Sequence, residues 1–128
     1  MKINYKDNLL FLSLVLVHNA KQIAIDNVIV DTGAVQTLIS SDVAENIGIV
    51  YQKGDTVVRM FGIGGEDFAF RKRVDEVKFG KANLKEYLLD FGYLDPRSGI
   101  NGLIGLDLLL KVKAVIDLDS LKITIKSS

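Results

Sequence analysis

Apolar residues along the chain fall into short runs separated by Asn, Asp, Gly and Lys, residues that are common where strands end. Residues 9–17 form the first run, which is apolar except for Ser13, and residues 22–30 form the second. The intervening His18-Asn19-Ala20-Lys21 is typical of a hairpin turn. The pattern therefore predicts an antiparallel hairpin near the N-terminus.

Later runs predict more strands and two short helices. Ser41 suits the N-cap of a short helix, and Gly48 suits its end. Asp107 suits the first turn of a second helix, which continues to about residue 112. The further strand-like segments are residues 35–39, 49–60, 74–79, 84–91, 114–118 and 121–125. Lys53-Gly54-Asp55 predicts a turn in the second of these segments. The predicted fold class is mostly β, with one or two short helices.

Composition narrows the classes of function. At 128 residues the chain can bury a substantial core, and we expect a single domain over residues 1–128. Its 16 basic and 16 acidic residues give no net charge, which disfavours a nucleic-acid partner. The basic run Arg71-Lys72-Arg73 is then interpreted as a solvated strand face or as protection of a sheet edge. Without Cys, and with His18 alone, one chain holds no thiol nucleophile and no multi-histidine metal site.

The N-terminal region has some features of a signal peptide, because Lys2 and Lys6 precede the apolar run. Asp7 interrupts that basic region, however, and His18-Asn19-Ala20 makes a poor cleavage site. The run is also much shorter than the ~20 residues that a membrane-spanning helix needs. We therefore interpret it as a strand and expect a cytoplasmic protein with no membrane partner.

A carboxylate follows the second predicted strand directly. The β-branched run over residues 28–30 leads into Asp31-Thr32-Gly33-Ala34. Burying a carboxylate is costly unless hydrogen bonds compensate, and Thr32 and Gly33 supply a hydroxyl and a permissive backbone beside it. One interpretation is an oriented functional acid. The alternative is an ordinary Asp-Thr-Gly turn at the end of a strand.

Two further motifs contain glycine at informative positions. Phe61-Gly62-Ile63-Gly64-Gly65 lies between strand-like arms and predicts the tip of a hairpin. A phosphate-binding loop is disfavoured there, since no Gly-Lys-Ser or Gly-Lys-Thr follows. Leu103-Ile104-Gly105 is an apolar pair bounded by glycines, just before the second predicted helix.

In this order, the three motifs resemble those of the retropepsin-like aspartic proteases, the single-domain relatives of retroviral proteases. The resemblance extends from about residue 9 to residue 125. It implies a closed, barrel-like, mostly β fold with a flap hairpin. It also makes the ordinary-turn interpretation of Asp31-Thr32-Gly33 less attractive.

The family resemblance implies a function and the residues that perform it. Each chain of such an enzyme contributes one catalytic Asp, here Asp31, so the active enzyme would be a homodimer that cleaves peptides or proteins with activated water. Thr32, Gly33 and Ala34 would support the site, and Thr32 would hydrogen-bond across the dimer. The remaining implied site residues are the substrate-binding flap (Phe61, Gly62, Ile63, Gly64 and Gly65) and the structural group near the site (Leu103, Ile104 and Gly105). No metal and no cofactor is implied.

Two positions depart from the retroviral pattern. Val35 stands where retroviral members commonly have an acid, and Leu106 stands where they commonly have Arg. Because both positions are apolar together, we expect a hydrophobic contact in place of an ion pair. A second hypothesis, from another functional class, is a catalytically silent module with the same fold that binds peptide or mediates dimerisation.

Overall fold

A computed structural model describes residues 1–62 and 65–126, and the side chains of residues 60–66 lie outside that description. The strands are β1 (Asn4–Lys6), β2 (Leu9–His18), β3 (Lys21–Val30), β4 (Leu38–Ser40), β5 (Thr56–Gly62), β6 (Gly65–Phe79), β7 (Ala82–Gly92), β8 (Gly102–Ile104), β9 (Ala114–Asp117) and β10 (Lys122–Ile125). The helices are α1 (Ser41–Glu45), α2 (Leu106–Lys111) and a single 3₁₀ turn (Pro96–Ser98). The chain is therefore mostly β with two short α-helices, as the hydrophobic pattern predicts.

The main sheet closes on itself. Its strand order is β1-β2-β3-β8-β4-β7-β6-β5, and β2 also pairs with β6. This second pairing, between Leu16 and Val77 at its centre, joins the sheet into a ring. Two pairings in the ring are parallel, β3 with β8 and β4 with β7, whereas the other pairings are antiparallel. The closed, barrel-like architecture expected from the sequence is confirmed.

The ring encloses one hydrophobic core because its strands alternate inward and outward side chains. The largest fully buried side chains come from most parts of the chain: Ile3, Leu16, Ile25, Val28, Ile39, Ile49, Phe79, Leu89, Phe91, Ile104, Leu108 and Ile123. They include residues of α2 and of β10, so the C-terminal elements also contribute to this core. In the described residues, neither helix has the length and hydrophobicity that a membrane crossing requires.

The predicted boundaries of some elements were wrong. Ser40, not Ser41, caps α1, because its Oγ accepts a hydrogen bond of 3.3 Å from the backbone N–H of Val43. The predicted strand at residues 35–39 shrinks to β4, since the preceding residues form a loop held by side-chain hydrogen bonds. The segment at residues 49–60 is a strand only from Thr56, after the turn predicted at residues 53–55.

The basic run is only partly solvated. β6 pairs with β7 throughout residues 71–73 and with β5 as far as Arg71. Arg71 forms a two-pronged ion pair with the buried carboxylate of Asp90, at 2.7 and 3.2 Å. Lys72 pairs with Asp55 at 2.9 Å. Arg71 and Lys72 therefore connect neighbouring segments, whereas Arg73 is exposed, as the solvated-face interpretation predicts.

A hairpin formed by β5 and β6 projects from the ring. Its last described pair joins Gly62 to Gly65, so the glycine-rich motif does lie where the hairpin turns. The flap predicted for residues 61–65 has its centre, Ile63 and Gly64, outside the described residues.

Candidate active site

The candidate acid lies at the carboxyl end of a ring strand. Val30 is the last residue of β3 and pairs with Ile104 of the parallel strand β8. The backbone N–H of Asp31 then donates to the carbonyl of Ile104 at 2.9 Å. Leu103 and Ile104 thus belong to the strand beside the acid, and Ile104 is fully buried beneath it. The strand pairing fixes the position of the Asp31 backbone.

Local hydrogen bonds orient the Asp31 side chain. Its Oδ1 accepts a hydrogen bond of 2.9 Å from the backbone N–H of Gly33, and its carbonyl accepts one of 3.1 Å from Ala34. A Cβ at Gly33 would lie 3.2 Å from that same Oδ1, which is tight for any larger residue. Within the described residues, Oδ2 accepts no hydrogen bond. The single chain therefore presents an oriented, partly exposed carboxylate, with Thr32 and Gly33 exposed beside it.

The start of α2 holds the rest of the site loop, which we define as residues 31–37. The backbone N–H groups of Leu106 and Asp107 donate to the carbonyls of Ala34 and Val35, at 2.8 and 3.1 Å. Gly105 makes this approach possible, because a Cβ there would lie 2.9 Å from the carbonyl oxygen of Ala34 and still closer to the backbone of Gln36. The glycine that ends the Leu103-Ile104-Gly105 motif is thus required by contact between two backbones.

A buried hydrogen-bond network supports the site loop from below, and sequence analysis did not find it. The fully buried Thr37 donates to Asp107 Oδ1 from its hydroxyl at 2.7 Å and from its backbone N–H at 2.8 Å. The same hydroxyl accepts from the N–H of Gly105 at 3.1 Å, and the hydroxyl of Tyr87 donates to Asp107 Oδ2 at 3.0 Å. Asp107 therefore joins the loop, β7 and α2.

The pKa of the Tyr87 phenol is consistent with its hydrogen bond to Asp107. Burial raises the pKa of the Tyr87 phenol well above its usual value, and the neighbouring charge of Asp107 raises it further. The phenol therefore stays protonated and donates to the carboxylate. Arg71, paired with Asp90, also feels the charge of Asp107, and its guanidinium has a raised pKa, chiefly through the hydrogen bond to Asp90.

The two positions that depart from the retroviral pattern come close together in the backbone, but their expected hydrophobic contact is not buried within one chain. Val35 is 78 % exposed, and Leu106 is partly buried. The side chain of Val35 therefore points away from the core, beside Thr32 and Gly33.

The geometry around Asp31 permits acid–base chemistry. Among residues 1–62 and 65–126, no group of three or more His, Asp or Glu side chains is placed to hold a metal ion. His18, at the end of β2, lies 3.7 Å from Asp75 and has no connection to Asp31. An oriented carboxylate with one free oxygen can accept a proton from water or donate one to a carbonyl oxygen.

Comparison with known proteins gives the family. A family model described as aspartyl protease matches residues 18–108, a segment that contains Asp31, the β5–β6 hairpin and Gly105. No curated protein matches the chain by sequence.

Solved structures give the fold. A retropepsin-like aspartic protease from Rickettsia conorii matches with a TM-score of 0.70 and 23 % identity, over 96 % of this chain and 95 % of that one. The retroviral protease-like domain of Ddi1 from Leishmania major matches with a TM-score of 0.63 and 20 % identity, over 96 % and 92 % of the two chains. The EIAV protease, solved with the inhibitor HBY-793, matches with a TM-score of 0.63 and 17 % identity, over 90 % and 99 %. The chain therefore belongs to the aspartyl protease family and has the retropepsin-like fold.

Proposed function

We propose that the protein is a homodimeric aspartic endopeptidase in which each subunit contributes Asp31. The observation that carries the proposal is the single oriented carboxylate at the end of β3, with one oxygen free and with Thr32 and Gly33 exposed beside it. Aspartic proteases work with two adjacent carboxylates. The sequence contains one Asp-Thr-Gly, so the second carboxylate comes from a second copy.

The chemistry follows from placing two carboxylates together. Like charges at short distance disfavour double ionisation, so the pair shares one proton, as is established for aspartic proteases. The ionised Asp31 takes a proton from water, and that water attacks the peptide carbonyl. The protonated Asp31 of the other subunit donates a hydrogen bond to the carbonyl oxygen. No residue becomes covalently attached to the substrate.

The other site residues have supporting roles in this proposal. The exposed hydroxyl of Thr32 hydrogen-bonds across the subunit interface, and Gly33 and Ala34 hold the turn that orients Asp31. Leu103, Ile104 and Gly105 form the floor on which the site loop rests. Residues 61–65, at the turn of the β5–β6 hairpin, form a flap over a bound peptide.

Replacing Asp31 with Asn tests the proposal directly. Asn keeps the size of the side chain and can still accept from the N–H of Gly33, so the variant should fold and dimerise. It lacks the charge that activates water, so cleavage of a peptide library should fall to background. The matched control is Asp42→Asn, which removes an exposed acid on α1 and should leave cleavage unchanged.

Two results would contradict the proposal. One is equal cleavage by the wild type and by Asp31→Asn, which would assign the activity to another site. The other is a wild-type dimer that binds peptides but cleaves none between pH 3 and 7. That second result would favour the silent peptide-binding module instead.

A further inference from the structure

The buried ion pair between Asp90 and Arg71 has no role in the chemistry proposed for Asp31. Asp90 lies on β7 and is only 5 % exposed. Its Oδ1 accepts from Nε of Arg71 at 2.7 Å, and its Oδ2 accepts from Nη2 at 3.2 Å. Burying a carboxylate is costly, and the two bonds from one guanidinium offset that cost while fixing the direction of the carboxylate.

Asp90 also contacts the site loop at the point where the loop becomes a strand. Its backbone N–H donates to the carbonyl of Thr37 at 3.3 Å, and the next residue, Leu38, pairs with Asp90 in the parallel ladder of β4 and β7. Thr37 is the last residue of the site loop, and its hydroxyl and its own N–H are bound to Asp107. Thr37 is therefore held between β7 on one side and α2 on the other.

Arg71 lies at the base of the β5–β6 hairpin. It pairs with Thr56, the first residue of β5, and on its other side with Asp90 of β7. The ion pair therefore connects the base of the hairpin to Asp90. The backbone of Asp90 then continues this connection to the site loop, which has Asp31 at its other end.

Stability alone does not account for this ion pair. Replacing both members of a buried ion pair with apolar residues of similar volume is often neutral or stabilising. The register of β6 and β7 has a second support one position away, where Phe70 stacks on Phe91 with 5.5 Å between the ring centroids. Apolar residues could not supply the fixed direction that a planar guanidinium imposes on a carboxylate.

We infer that Arg71 and Asp90 are positioning residues, whose ion pair fixes Thr37, and with it the site loop, relative to the β5–β6 hairpin. The inference rests on the proposed function, in which Asp31 is the catalytic carboxylate, and it adds the contact that holds the Asp31 loop in place from behind. A displacement of about 1 Å at a catalytic group can lower the rate about 100-fold, so the contact matters for turnover.

A double apolar substitution separates positioning from stability. Arg71→Met with Asp90→Val removes both charges together, so the variant should fold, dimerise and melt close to the wild-type temperature. Its kcat for a peptide should fall about tenfold or more, because the loop that carries Asp31 is no longer fixed. KM should change much less, since neither residue is proposed to contact the peptide.

The matched control is another ion pair between the same two strands. Lys85 of β7 binds Glu76 of β6 at 3.1 Å, directly across the ladder and nearer the turn that joins the strands. Glu76 is 8 % exposed, so its burial is similar to that of Asp90. Within the described residues, neither Lys85 nor Glu76 forms a hydrogen bond to the site loop. Lys85→Met with Glu76→Val should therefore leave kcat unchanged.

A spectroscopic measurement makes the test independent of cleavage. The N–H of Gly33 donates to Asp31 Oδ1, so its proton resonance in heteronuclear NMR spectra reports the orientation of that carboxylate. Gly33 lies at the end of the site loop away from Asp90. Its resonance should move when Arg71 and Asp90 are replaced together, and it should stay in place in the control variant.

The outcomes separate this inference from the proposed function. Wild-type kcat in the Arg71→Met, Asp90→Val variant, an unmoved Gly33 resonance, or an equal loss of activity in the control would each overturn the inference. If the wild type cleaves nothing but the Gly33 resonance moves in the test variant alone, the positioning role stands and the protease proposal fails.

A second variant keeps the test decisive if the double apolar substitution prevents folding. Arg71→Lys retains the charge, but an ammonium group does not bind a carboxylate with the two parallel bonds of a guanidinium. Its kcat should be lower than that of the wild type, and its Gly33 resonance should be displaced. Wild-type values for both quantities in Arg71→Lys would overturn the inference.

Discussion

Asp31 and Asp107 show how one residue type acquires two roles from its surroundings. Asp31 is partly exposed and accepts one hydrogen bond, from Gly33, so an oxygen remains available for chemistry. Asp107 accepts two hydrogen bonds from Thr37 and one from Tyr87, so both of its oxygens are occupied. The first carboxylate suits proton transfer, whereas the second suits support of the loop.

Tyr87→Phe should destabilise the protein at neutral pH and remove one step of its alkaline titration. A hydrogen bond to a charged group contributes about 1.5–3 kcal/mol, and partial exposure of Tyr87 favours the lower value. Because folding raises the pKa of the phenol, its contribution is present below the unfolded pKa of about 10 and is lost as the pH rises toward the folded value.

Two measurements check this prediction. Urea unfolding at pH 7 should show the loss of stability. The absorbance of phenolate, recorded between pH 8 and 12 for the wild type minus the variant, should stay near zero through the range in which ordinary tyrosines titrate. If that difference titrates at the ordinary tyrosine pKa, the bond from Tyr87 to Asp107 does not form in solution.

Local sequence was enough to predict some of the residues at the site and not others. Asp31 follows a β-branched run and precedes Thr and Gly, so its exposure at the end of a strand follows from neighbouring residues. Local sequence marks Asp107 only as a favourable acid at a helix start. Its partners, Thr37 and Tyr87, lie far away in sequence and meet it because β4 pairs both with β8, the strand before α2, and with β7. No local sequence pattern predicts these contacts.

At the scale of elements, the base of the β5–β6 hairpin is held by one ion pair. Asp55, just before β5, accepts from Lys72 of β6 at 2.9 Å and from the backbone N–H of Gln52 at 2.8 Å. Lys72 also donates to the side chain of Gln52 at 3.1 Å. These bonds connect the turn at residues 52–55 to the long strand that carries the hairpin.

Acid should weaken this connection. The hydrogen bonds from Lys72 and then from Gln52 lower the pKa of Asp55. A depressed carboxyl pKa stabilises the fold above the unfolded value of about 3.9, and the contribution is lost as the pH falls through the folded pKa. The melting temperature of Asp55→Asn should therefore depend less steeply on pH between 4 and 2 than that of the wild type.

Lys72→Gln is the control for the Asp55 prediction. It removes the hydrogen bond that does most to lower the pKa of Asp55. The melting temperature of Lys72→Gln should therefore depend on pH as that of Asp55→Asn does, and the double variant should show no further change. Additive effects of the two changes would show that the residues act separately.

Elements that are determined by neighbouring residues could be predicted from sequence, whereas contacts that depend on strand register could not. The β2–β3 hairpin follows from alternating apolar residues and a four-residue turn, and the structure has it within one residue. β5 starts only at Thr56, after the turn predicted at residues 53–55, which Asp55 holds by accepting from the N–H of Gln52; the apolar residues 49–51 before that turn form no strand. The pairing of Arg71 with Asp90 depends on register between β6 and β7, which composition does not encode.

At the scale of the whole molecule, closure of the sheet distributes stability unevenly. The C-terminal part of β6, around Val77, pairs with both β2 and β7, whereas β1 pairs with β2 alone in the described sheet. Strands paired on both sides open only when much of the ring opens. Amide hydrogen exchange at neutral pH should therefore be slowest around Val77 and fastest, among the strands of the ring sheet, in Asn4–Lys6. Equal exchange in the two regions would argue against a closed ring.

The parallel pairing of β3 with β8 also sets the order of events during synthesis. Asp31 leaves the ribosome before Ile104, whose carbonyl anchors it, and before Gly105, on which the loop that orients it rests. Contacts between such distant parts of a chain form late in folding. In a nascent chain the Asp31 carboxylate is therefore present but not oriented until β8 and α2 have been translated. The topology postpones any proteolytic activity until folding is far advanced.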